Sequence, residues 1–90
     1  SLPEEWYKWI KRFERFRLAS ELHKKDEQSQ VNTLIYTMGS EADDILYSFQ
    51  LSEADSQKYD VVKEKFDSHF IKRFLNERSS IKGNKKRVSQ

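Results

Sequence analysis

At 90 residues the chain has room for one hydrophobic core, since two would leave each half near the ~40 residues below which domains rarely fold unaided. The absence of cysteine excludes disulfides, thiolate zinc sites, zinc knuckles and a cysteine nucleophile, while two glycines and one proline are too little punctuation for a strand-rich fold. The net charge of +2 is unevenly spread: residues 1–25 hold seven Lys and Arg against four acids, residues 26–60 eight acids against Lys58, and residues 61–90 nine bases against three acids. A chain with basic ends and an acidic middle is suited to pairing with copies of itself as well as with polyanions. No run approaches the ~18 apolar residues of a membrane span, and the N-terminus lacks the basic start and apolar stretch of a signal peptide, so an intracellular, cytoplasmic protein is expected.

The first helix is announced by Pro3 followed by Glu4 and Glu5, which suit its first turn and positive dipole end. Trp6, Trp9, Ile10, Phe13 and Phe16 then fall within ~120° of arc, the width of a core-facing stripe, with Lys8, Lys11, Arg12 and Arg15 on the far side. Leu18 and Leu22 lie opposite the stripe, and His23, Lys24 and Lys25 end the helix. Asp26 suits the N-cap of a second helix, whose stripe is Val31, Leu34, Ile35 and Met38 and which Gly39 closes. Ser40 suits the N-cap of a third helix, with Asp43 three residues on in a capping-box-like position and Ala42, Ile45, Leu46 and Phe49 as its stripe. Residues 51–56 read as a connector with room for one helical turn. The fourth main helix begins near Ser56 and carries Tyr59, Val62, Phe66, Phe70 and Phe74. Its apolar spacing stops at Asn76.

These stripes predict an all-α fold, a small bundle of four main helices with a short fifth near residues 52–55. The bundle occupies residues 1–76, and residues 77–90 form a basic tail or the start of a linker. The expected core comprises Trp9, Phe13, Phe16, Leu34, Ile45, Phe66 and Phe70, with the first and fourth helices meeting at its centre. Tyr7, Leu18, Leu22, Val61, Ile71 and Leu75 fall off the stripes and are the expected contact surface.

Little chemistry is written into the chain. His23 and His69 are the only histidines, no metal-ligand spacing occurs, and Asp43 and Asp44 point about 100° apart on one helix, which rules out a cooperating acid–base pair. There is no glycine-rich phosphate loop or nucleophile elbow. No enzyme, no cofactor and no metal are expected. Lys82, Lys85, Lys86 and Arg87 offer a weak, sequence-independent contact to RNA phosphates. The aromatic residues keep core spacing and do not interleave with the bases, which argues against stacking on nucleotides.

The order of residues carries more. Trp9-x3-Phe13-Glu14-Arg15-Phe16-Arg17-Leu18-Ala19-Ser20, then the run from Gln30 through Leu34-Ile35-Tyr36-Thr37-Met38-Gly39-Ser40 to Ile45, resembles the Gag polyprotein of gypsy-type long-terminal-repeat retrotransposons. Tyr59-Asp60-x2-Lys63-Glu64-Lys65-Phe66-Asp67-x2-Phe70 and the Glu77-Arg78 pair continue the resemblance, which covers Trp6 to Arg78. It implies the N-terminal lobe of a capsid domain, an all-helical unit that self-associates into a shell around RNA, in an intact element or a domesticated Arc-like host protein. In Arc-like members such a lobe holds a peptide in an apolar groove, so a peptide partner is the second implication. The C-terminal lobe and zinc knuckle of the family are not found in these residues, and Ser79 to Arg87 departs from the family's usual passage into the second lobe. Three readings follow: a self-assembling capsid module, an adaptor binding a partner peptide or helix in a groove, and weak RNA binding through the basic tail.

Overall fold

The computed structural model describes the backbone of residues 2–89 and the side chains of residues 5–78. It contains five α-helices, four of them of at least seven residues, and no strand among the described residues. Helix α1 spans Leu2–Ala19, α2 Glu27–Met38, α3 Ser40–Ser48, α4 Glu53–Ser56 and α5 Tyr59–Ser89, with a 3₁₀ turn at Leu22–Lys24 between the first two. The expected all-α bundle with one short extra helix is the observed fold.

Local chemistry accounts for the boundaries. The Asp26 carboxylate caps α2 by accepting hydrogen bonds from the Ser29 N–H (3.0 Å) and hydroxyl (2.8 Å), which also hold its pKa below the usual carboxylate value. Gly39 ends α2 and, in place of the expected Ser40, is also the cap of α3, whose first residue is Ser40 and which has no side-chain cap hydrogen bond. Its φ of +106° and ψ of 175° suit a residue without a side chain, and its N–H donates to the Ile35 carbonyl while its own carbonyl accepts from Ala42. The Ser52 hydroxyl caps α4 by accepting from the Asp55 N–H.

The core forms where α1 lies antiparallel against α5. Trp6 packs on Phe66 and Phe70 with ring centroids 5.9 and 4.9 Å away, and Phe13 faces Tyr59 eleven residues before Phe70. Leu34, Tyr59, Val62, Phe66 and Phe70 are fully buried, α2 adding Val31 and Ile35 and α3 adding Ala42. Trp9, Ile45, Leu46, Met38 and Phe49 are partly buried and pack on this cluster.

Two of the expected site residues are corrected. Phe16 is not a core residue: it is 50% exposed, touching only the edge of the cluster through Phe13. Measured around α1 from Trp6, Phe16 lies ~80° away and Arg17 only ~20°, so the buried arc continues into Arg17. That guanidinium lies over the Tyr59 ring at 4.2 Å and donates to Gln30 Oε1 at 2.8 Å. Leu22 is not on the contact surface. Helix α1 stops at Ala19, Glu21 adopts a left-handed conformation (φ 63°), and the reversed chain drives Leu22 into the core, where it is 6% exposed. Gln30, buried beneath this turn, donates to the Lys25 carbonyl at 2.7 Å and the His23 carbonyl at 3.4 Å, so the reversal is locked by a satisfied polar group. At the other end, α5 does not stop where its apolar spacing does. No proline follows Asn76 to break it, and the helix continues to Ser89.

Candidate protein-binding surface

A groove of about 1210 Å³ runs along the seam of α1 and α5. Its floor includes Trp6 and Ile10, the outer edge of the core. One wall is built by Tyr7, Lys11, Glu14 and Leu18, spaced by three and four residues on α1, and the other by Lys63, Asp67, Ile71 and Phe74, spaced likewise on α5. Tyr7, Leu18 and Ile71 are more than half exposed, so the groove presents apolar surface to solvent.

Its acidic groups are already engaged. Asp67 accepts from Trp6 Nε1 at 2.7 Å and from Lys63 Nζ at 3.0 Å. Glu14 accepts from the Tyr59 hydroxyl and lies 3.5 Å from Arg17 Nη1. Burial, reinforced by that carboxylate, pushes the Tyr59 phenol well above its usual value, so it remains a protonated donor. Lys11 rests on Tyr7, 4.8 Å from the ring centre and 3.4 Å from its hydroxyl. Neither Lys11 nor Arg15 has a carboxylate partner among the described residues, which leaves the groove with cationic character.

The opposite sign collects on α3. With Ala42, Ile45 and Leu46 turned inward, Asp43, Asp44 and Tyr47 face solvent, and Tyr47 is 87% exposed. Tyr36 on α2 is 88% exposed. A smaller recess of about 370 Å³ opens beside the Gly39 corner, lined by Trp9, Met38, Ile45 and Phe70 with Glu5 and Glu41.

Of the expected contact residues, the structure therefore brings Tyr7, Leu18 and Ile71 into one groove. Leu75 is 53% exposed further along α5, Val61 is half-buried, and Leu22 is lost to the core. Lys82, Lys85, Lys86 and Arg87 lie outside the described side chains. Tyr36 and Tyr47 were not anticipated, although each sits ~140° from the first residue of its helix's stripe, further off it than the ~100° that separates Tyr7 from Trp6. Among the described residues, no group of three or more His, Asp and Glu side chains is placed to hold a metal ion, and no helix is long and apolar enough to cross a membrane. Comparison with family models, with curated proteins and with solved structures finds no match to this chain.

Proposed function

We propose that the chain is a self-assembly module of a capsid, forming weak, multivalent contacts with copies of itself. The observation that carries this reading is the partition of one small surface: Lys11, Arg15 and exposed apolar side chains on the α1/α5 seam, and Asp43 and Asp44 with an exposed tyrosine on α3, none of these four charges having an oppositely charged partner among the described residues. The resemblance of Trp6 to Arg78 to gypsy-type Gag sequences and the all-helical fold support it. Contacts of this kind are weak singly and act together in a shell, and their charged component is screened by salt. Sedimentation velocity over a rising concentration series, in low and high salt, tests the reading. The average mass should rise with concentration and fall with salt, and a monomer under every condition would refute it.

A second reading, an adaptor that holds a partner's peptide in the α1/α5 groove, is favoured by the groove's apolar lining. It requires saturable binding of a foreign peptide by a chain that stays monomeric, so the same sedimentation series separates the two.

A further inference from the structure

We propose that the α1/α5 groove receives helix α3 of a second copy of this chain; the inference rests on the assembly reading and names its interface. The charges match on both sides. Lys11 and Arg15, one turn apart on the groove wall, lack carboxylate partners among the described residues, and so do Asp43 and Asp44 lack cationic ones. Asp43 and Asp44 precede Tyr47 by four and three residues, so the three share one side of α3, as Tyr7, Lys11 and Arg15 share one side of α1. Docking places carboxylates on unpaired cations and lays an exposed aromatic ring among exposed apolar side chains.

The dimensions match as well. From Tyr7 to Leu18 the groove wall spans eleven helical steps, ~17 Å, and the nine residues of α3 span ~14 Å. Helix α3 already buries its inner side through Ala42, with Ile45 and Leu46 partly buried, so its outer side docks without any rearrangement of the monomer. The alternative of two grooves facing each other is disfavoured, because it sets Lys11 and Arg15 of one copy against the same residues of the other.

This geometry has a consequence for architecture. Groove and α3 are different surfaces of the same chain, so the contact is head-to-tail and each copy offers one acceptor and one donor. Such a contact closes into a two-fold dimer where both copies engage at once, and otherwise closes into a larger ring or continues as an open array. A helix face of nine residues covers far less than the ~800 Å² per partner of a standard interface, which keeps each contact weak and reversible.

Reciprocal charge reversal tests the pairing. One variant carries Lys11→Glu with Arg15→Glu, a second Asp43→Lys with Asp44→Lys, and a third Tyr47→Ala; circular dichroism confirms that each retains its helices. Each should weaken self-association by about 10-fold or more in sedimentation velocity at low salt. The two reversed variants mixed in equal amounts should co-assemble, because each chain's altered surface then meets its complement on the other. A single chain carrying both reversals should self-associate again. If the wild-type chain assembles and the reversals leave it unchanged, the groove–α3 interface is wrong while assembly stands. If only the groove reversal acts, the occupant is another segment and the inference likewise falls. A wild-type chain that remains monomeric overturns the assembly reading and this interface with it.

Discussion

His69 is pressed into the apolar edge of the core. Its ring meets Phe70 at 5.0 Å and Phe49 at 5.8 Å, both edge-on, and its Nε2 is buried without a hydrogen-bond partner. Burial first, and Arg73 second, hold its pKa below the ordinary 6.5. The unfolded chain therefore takes up this proton at higher pH than the folded one. The neutral ring's contribution is complete above about pH 6.5 and is lost as pH falls through that value towards the folded pKa. Asp26 acts in a separate window: its depressed pKa withdraws stability only below about pH 4. Thermal unfolding of wild type should accordingly fall between pH 7 and 5, and His69→Leu should flatten that stretch. Parallel profiles for the two proteins would show that His69 carries no such linkage. At this scale Asp26 and Gly39 were legible from their identity, since carboxylate caps and positive-φ corners select those residues. Glu21 was not: a non-glycine residue in the left-handed region gives no advance signal of a chain reversal.

Helix α1 shows what periodicity conveys and where it stops. Its stripe of five apolar residues is real, but the stripe's centre is decided by what packs against it. Antiparallel contact with α5 buries Trp6, Ile10 and Phe13 and leaves Phe16 at the margin. Truncating the two phenylalanines should separate them. Phe13→Ala should lower stability by about 3–5 kcal/mol, whereas Phe16→Ala should cost about 1 kcal/mol or less, read by urea denaturation. Equal losses would mean that the buried arc is wrongly centred. The same limit explains Leu22. Continuing α1 through residue 23 places it opposite the core, and only the break after Ala19 turns it inward. Helices α2, α3 and α4 were readable because each is short and set off by a turn or capping residue, Asp26, Gly39 and Ser52.

For the molecule as a whole, fold class and the approximate order of helices followed from apolar spacing, and the sign of each segment's charge from counting. The groove did not. It exists because residues 7–18 and 63–74 are laid side by side by the core, and no local pattern states that two distant helix flanks will form facing walls. Segment charges became faces for the same reason: the acidic middle of the chain folds into helices that contribute no residue to the groove lining. One residue fastens these parts together. Tyr59 sends its hydroxyl to Glu14 on α1 and its backbone N–H to Glu27 on α2, 3.0 Å away, while starting α5 itself. First-turn amides of a helix ordinarily have no partner within the helix and trade their protons quickly with solvent. Tyr59 should be the exception, its amide exchanging only when the whole domain opens, and Glu27→Ala should speed that exchange selectively in a proton–deuterium experiment. The first residue of the longest helix would then be among the last to let go.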